Sequence, residues 1–447
     1  MDNNIFKDFT KYVSLNILGM IGLSCYILAD TFFISKALGS TGVAALNFSI
    51  SIYSLIHGTG LMIGIGGATR YGILRSQKRD KRANEIFSTS IKLGVILGLL
   101  FTIVGVFSSE SLALTLGADD NTLPLTKTYL LTILSFAPFF IMNNILLAFV
   151  RNDNNPRLSM VAMLTGSFSN IILDYIFMFP LQMGMFGAAF ATGLAPIISI
   201  LILTVHLTKG RNSLSFIKGK MKLSRVFDVF RLGLSSFISE ISSAVVLITF
   251  NLVILKLAGN LGVASYGIVA NIALVGISIF TGIAQGIQPL ISKGYGSKNF
   301  LEVKKVMRYA LITSGVIALI IYSAVFIKAN SIVGIFNSEK NLEILHIAIT
   351  GLRIYFIGFF FAGINIIMSI YLSATERAKD AFIVSMARGL VIIVPLVLIL
   401  SSILKMTGVW LSFVFTELAV TIMTYIIVKT KKNIEREEKI RVNLAND

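Results

Sequence analysis

Two carboxylic acids lie inside long apolar stretches: Asp30 within GMIGLSCYILADTFFIS and Asp174 within SFSNIILDYIFMF. A charge at the centre of a membrane helix costs about 2.5–3.5 kcal/mol on insertion scales, so a chain that keeps one usually uses it. Asn170 precedes Asp174 by four residues, which puts both on one side of a helix. Thr192 follows in the next apolar stretch. Two carboxylates, an amide and a hydroxyl together make a cation or proton site, because close carboxylates resist being ionised together and so exchange a proton or bind a cation readily. The competing reading neutralises each acid with structural hydrogen bonds. A third acid, Glu240 in SSFISEISSAV, and a base, Arg353 in GLRIYFIGFF, also fall within apolar stretches. At comparable depth they could pair with each other, which would reduce the cost of both charges. Alternatively, Glu240 faces a cavity and attracts cations. Arg388 and Glu417 form a second such couple, with structural pairing the favoured role.

The elements that must hold these residues are membrane helices. Of the 447 residues, 55% are hydrophobic and only 14% charged, against roughly 25% charged in soluble domains. Apolar segments fall at 11–35, 43–72, 86–107, 126–149, 157–180, 184–207, 231–257, 263–292, 304–327, 344–371, 380–402 and 406–428. Lipid offers backbone groups no partners, so each segment must be helical. Continuous apolar runs argue against the alternating strands of a barrel. At 1.5 Å per residue, Asp30 lies roughly 28 Å along the first span, Asp174 roughly 25 Å along the fifth, and Thr192 roughly 12 Å below the outer end of the sixth. All three can then meet in the outer half of the membrane. The fold class expected is an all-α membrane protein of twelve transmembrane helices.

The net charge of +17 comes from Lys and Arg gathered at the ends of apolar segments, as in RSQKRDKR (75–82), the stretch from Lys209 to Arg225, and KTKK near the C-terminus. The positive-inside rule accounts for this better than nucleic-acid binding does, and predicts both termini and the basic loops on the cytoplasmic side. Lys340 is among the few bases left outside. Cys25 is the only cysteine and the three histidines are far apart in sequence, which gives no disulfide and no zinc pattern. No phosphate-binding GxxxxGK[ST] loop, nucleophile elbow or HExxH is present, so neither ATP use nor a membrane-embedded enzyme is indicated.

The chain also repeats. LGSTGVAALNFSI (38–50) aligns with AGNLGVASYGIVA (258–270) at an offset of 220, which also pairs Gly66 with Gly286 and Lys78 with Lys298. Six spans per half give both halves the same orientation, related by a pseudo-two-fold axis along the membrane normal. The expected division is an N-terminal lobe at 1–207, a cytoplasmic linker at 208–225, a C-terminal lobe at 226–428 and a cytoplasmic tail at 429–447. Met62, Tyr266 and Phe280 are candidates to line a central cavity, where soft apolar walls accept varied ligands.

The segments ADTFFISKALG (29–39), NIILDYIF with GMFGAAFAT (170–192) and GIAQGIQPLISKGYG (282–296) resemble the multidrug and toxic compound extrusion (MATE) transporters across essentially the whole chain. That resemblance implies a two-lobed, twelve-helix antiporter of the bacterial cytoplasmic membrane. It would work by alternating access, be driven by H+ or Na+ without another cofactor, and export cationic amphipathic compounds, including antibiotics. It assigns cation coupling to Asp30, Asn170, Asp174 and Thr192, with Asn144 as a further polar position and Asp30 and Asp174 as the ligands if the ion is Na+. It matches Glu240 to an acid of the seventh span. The tenth span lacks the aspartate of some members and has Arg353 and Asn365 instead, which disfavours a second sodium site. A functional monomer is expected. A lipid-linked precursor flippase of the same superfamily is the alternative; it would favour a strongly cationic cavity.

Overall fold

The computed structural model describes residues 2–208, 212–336 and 341–444. Lys209 and Lys340, named above in the charge pattern, and Arg211 within the same basic stretch lie outside the described residues. Among the described residues every regular element is a helix. Eight helices are long and apolar enough to cross a membrane, and the bent pair Leu123–Ser135 and Ala137–Asn152 adds a ninth span. Three of the eight are double. The helix Asp2–Ser76 reverses at Gly39, Leu223–Gly296 at Gly259, and Ile393–Leu444 at Lys405. Cut at those residues, the described chain makes twelve passes: 2–38, 40–76, 80–115, 123–152, 156–178, 184–208, 223–258, 260–296, 300–336, 342–374, 378–404 and 406–444.

The loops expected between the first and second spans and between the seventh and eighth shrink to one residue each. Gly39 (φ 64°, ψ −155°) and Gly259 (φ 60°, ψ −156°) adopt a conformation open essentially to glycine alone, so the chain reverses without leaving hydrogen-bonded helix on either side. These two residues are 220 apart, and Lys78 and Lys298 repeat a left-handed turn (φ 59° and 60°) at the same offset. The repeat legible in the residues therefore has a counterpart in the backbone.

The fourth pass bends by 49° beside Pro138, because proline removes a helix hydrogen bond. The tenth tightens through Phe356–Gly358 and the eleventh loosens into a π-turn at Ala387–Val391.

Two large hydrophobic clusters form the interior. One runs from Met20 to Val229, the other from Phe250 to Phe413 and takes in Phe9, Tyr12 and Val13. The start of the first pass thus packs with the second half of the chain. The contact is close: a Cβ at Gly286 would lie 2.8 Å from Val13 Cα. Its counterpart is Gly66, where a Cβ would lie 2.0 Å from the Val229 carbonyl and 2.7 Å from the Gly233 nitrogen. Each of these two passes, the eighth and the second, lays its backbone against the opening pass of the other half.

The described linker residues 212–222 are not a free tether. Ser215 N–H donates to Asn84 Oδ1 at 3.1 Å, Ile217 N–H to Ser88 Oγ at 2.8 Å, and Lys92 Nζ to the Gly219 carbonyl at 2.6 Å. Arg225 meets Glu85 at 2.6 Å. The linker therefore marks one face of the bundle, shared with the turns near 78, 154, 298 and 376.

Candidate functional site

Asp30 comes from the first pass, Tyr129 from the fourth, Asn170 and Asp174 from the fifth and Thr192 from the sixth. The helical spacing of four places Asn170 under Asp174. With its amide turned to satisfy both neighbours, Asn170 donates to Asp174 Oδ2 at 3.0 Å and accepts from the Thr192 N–H at 3.3 Å. Asp174 is fully buried and Asp30 is 6% exposed. The two carboxyls feel each other electrostatically. Tyr129 lies near Thr192 and is within electrostatic reach of both acids. Neither acid has a basic partner among the described residues, and one oxygen of each, Asp30 Oδ1 and Asp174 Oδ1, receives no hydrogen bond. Two buried carboxyls with open lone pairs and no neutralising base can hold a proton or a cation and do little else at such a cost. Asn144 does not join them. Its amide donates to the Phe140 carbonyl at 3.0 Å, its side chain packs against Gly60, and its backbone packs against Gly64.

Three tyrosines complete the surroundings, and the sequence reading missed all three. Tyr26 and Tyr53 join their hydroxyls at 3.0 Å, and both lie within reach of Asp30. Tyr26 precedes Asp30 by one helical turn, the same spacing that identified Asn170, so the signal was available. Tyr53 and Tyr129 come from distant segments, and no local spacing announces them.

The expected pairing of Glu240 with Arg353 does not occur. Glu240 Oε1 lies 3.2 Å from His57 Nδ1 on the second pass. The guanidinium of Arg353 stands over the Phe326 ring, 5.0 Å from its centroid, and is exposed on the outside of the bundle. Depth along a helix was matched, but the azimuth was wrong: Arg353 faces away from the seventh pass. Arg388 and Glu417 do pair, at 2.7 Å. Asn365 donates to Glu417 Oε2 at 2.7 Å and to its carbonyl at 2.8 Å, and Thr421 donates to Asn365 Oδ1 at 3.1 Å. Glu417 and Asn365 are buried, and Arg388 and Thr421 are half-buried. Tyr266 and Phe280, expected at a cavity wall, are core residues, stacked on Phe250 and packed against Phe359 respectively; Met62 is half-buried.

A polar seam joins the halves on the linker side of these sites. Arg151, buried, donates to Asn16 at 2.5 Å and to Gln285 at 3.0 Å, and Gln288 donates to Thr69 at 2.9 Å. Arg70 pairs with Asp228 at 3.3 Å and with Glu376. Nearby, Asp153 accepts from Tyr71 at 3.0 Å, from the Ser213 N–H at 2.8 Å, and pairs with His206 at 2.9 Å. Burial alone would raise the pKa of this carboxyl, but the hydrogen bonds from His206, Ser213 and Tyr71 outweigh it and hold the pKa below the ordinary value.

Twelve helical passes enclosing buried, base-free carboxyls define a polytopic membrane transporter. The family model described as MatE matches residues 16–176 and 236–399, and the chain belongs to the MatE family. Among curated relatives, the multidrug export protein MepA of Staphylococcus saprophyticus is 27% identical over 435 residues, 95% of this chain and 94% of that protein. MepA of Staphylococcus aureus strain MRSA252 is 28% identical over 434 residues, at 95% and 94% coverage. Among solved structures, an outward-facing multidrug resistance MATE transporter of the MOP superfamily superposes with a TM-score of 0.90 at 23% identity, covering 96% of each chain. A MOP superfamily transporter from Pyrococcus furiosus, described as having a binding pocket of reversed polarity that suggests a different function, superposes at 0.88 with 24% identity over 95% of each. These two likenesses show the fold alone.

Proposed function

We propose that this protein is a cation-coupled antiporter that exports cationic amphipathic drugs and toxic compounds from a bacterial cell by alternating access. Asp30, Asn170, Asp174 and Thr192 form the coupling site for H+ or Na+. The observation that carries the reading is the pair of buried acids with no base beside them. Binding a proton or Na+ removes a costly buried charge, and a ligand shifts a conformational equilibrium only by its differential affinity for the two states. Glu240 offers the carboxylate that attracts the cationic substrate. The staphylococcal relatives carry the name of multidrug exporters, which supports the same substrate class here.

The working unit is a monomer of two lobes, 1–207 and 226–428, with a cytoplasmic linker at 208–225 and tail at 429–447. Both termini are cytoplasmic, as the basic loops require. A precursor flippase is the weaker reading, because the buried charges without partners are acidic and would repel a pyrophosphate.

Ethidium efflux from vesicles, with proton and sodium gradients imposed separately, tests the coupling. Efflux indifferent to both gradients would end the antiport reading. Cysteine labelling at Ser213 and Asn121 tests the orientation, and labelling of Ser213 from outside intact cells would reverse it.

A further inference from the structure

His57 lies 19 residues from the end of its helix at Ser76, and Glu240 lies 17 residues from the start of its own at Leu223. At 1.5 Å per residue both sit roughly 25–28 Å from the linker-side ends of their passes. Their contact therefore joins the halves deep in the bundle, beyond the seam of Arg151 and Arg70. The imidazole stacks flat on Tyr53, with ring centroids 5.8 Å apart and planes 8° from parallel. This fixes the ring's edge toward Glu240. Gly58 brings the second pass close, since a Cβ there would meet Glu240 Cβ at 3.3 Å and Phe237 at 3.2 Å. The 3.2 Å separation lacks the alignment of a hydrogen bond, and it is an ion pair only when the imidazole is protonated. The side chains keep 17% and 29% of their surface open, so a ligand can reach the carboxylate. Tyr53 in turn reaches Tyr26, and Tyr53 is within electrostatic range of both Glu240 and Asp30.

We propose that His57 is a specificity-determining residue: its imidazole occupies the Glu240 carboxylate in the empty transporter, and a cationic substrate binds by displacing it. The proposal rests on the reading of Glu240 as the substrate's counter-charge. A partly exposed pair of this kind is weak enough to be exchanged yet strong enough to exclude ligands that bring no positive charge to the carboxylate. Neutral amphiphiles cannot take the place of the imidazole, so the pair filters by charge. Displacement also removes a tie between the second and seventh passes, and the ring that leaves Glu240 is stacked on the tyrosine nearest the Asp30 site.

Tetraphenylphosphonium binding to the purified full-length protein tests this. His57→Phe keeps a flat ring against Tyr53 and removes the ring nitrogen that faces Glu240. It should tighten tetraphenylphosphonium binding about fivefold, the factor a partly exposed ion pair can supply, and His57→Lys should weaken binding by a similar factor. In a Glu240→Gln background the His57→Phe exchange should change nothing. Unchanged affinity in His57→Phe, or an equal gain with and without Glu240, would overturn the proposal. His57→Gln serves the same comparison if the phenylalanine is not tolerated. If Glu240→Gln alone leaves the affinity unaltered, the Glu240 reading itself fails; if it weakens binding while His57→Phe does nothing, only the displacement fails.

Discussion

The two halves of this chain solve the same problem of buried acids in opposite ways. In the second half, Glu417 is held by Arg388 at 2.7 Å and by the Asn365 amide, so its charge is answered. In the first half, Asp30 and Asp174 are as deeply buried but have an amide, a hydroxyl and tyrosines in place of a base. The backbone frames repeat, down to the glycine reversals at 39 and 259. The difference is therefore one of side chains on a shared scaffold. A neutralised acid has nothing left to exchange with solvent, whereas an acid without a base changes its charge state or takes up a cation whenever the path to water opens.

The largest test removes that capacity. Asp30→Asn and Asp174→Asn keep size and hydrogen-bonding reach but cannot ionise, so each should nearly abolish gradient-driven ethidium efflux while the protein remains in the membrane at normal level. Drug binding in detergent should survive in at least one. Wild-type pumping by a well-expressed Asp174→Asn, across a range of pH and sodium, would erase the contrast between the halves.

The second half should respond through stability. Arg388→Met leaves Glu417 buried without its cation, and breaking a buried pair costs about 3–5 kcal/mol. The melting temperature of the purified protein should fall sharply, and the double change Arg388→Met with Glu417→Met should recover most of it. A large loss of efflux in the double variant, at restored stability, would give Arg388 and Glu417 a transport role that their network does not suggest.

Backbone strain offers a smaller and symmetric effect. Space is open around both reversal glycines, so Gly39→Ala and Gly259→Ala should each cost about 1–3 kcal/mol from conformation alone. Equal losses in melting temperature are expected. The third reversal departs from this pattern: Lys405 adopts φ 53°, ψ −134° with a side chain present, so Lys405→Gly should raise the melting temperature rather than lower it.

The smallest effect lies outside the membrane. Asp153, in the turn after the fourth pass, has three partners, while its counterpart turn at Glu376 instead meets Arg70. A carboxyl whose pKa is lowered on folding stabilises the protein above the ordinary carboxylate range, and that stability is lost as pH falls through the lowered value. Asp153→Asn should therefore be less stable than the wild type at neutral pH, and the gap should close on acidification. A gap independent of pH would show that the charge is not what matters there.

Much of this was legible because membrane helices obey strong local rules. Continuous apolar runs forced the spans, and the offset of 220 exposed the repeat. The spacing of Asn170 and Asp174 named two members of the acid cluster. Depth counting brought Asp30 and Thr192 to them correctly, since rise per residue is fixed in a helix. The same counting misjudged Arg353, which has the depth of Glu240 but faces outward onto Phe326.

The sequence by itself determined how far along its helix each residue lies, which spans are helical, and which charges fall within them. Only the tertiary structure decided which charges meet. The angle of a residue around its helix relative to another helix depends on packing between segments hundreds of residues apart. Gly66 against Gly233 and Gly286 against Val13 set that angle for the two halves. It is this packing that delivered His57, rather than Arg353, to Glu240, and that gathered Tyr26, Tyr53 and Tyr129 around the acids.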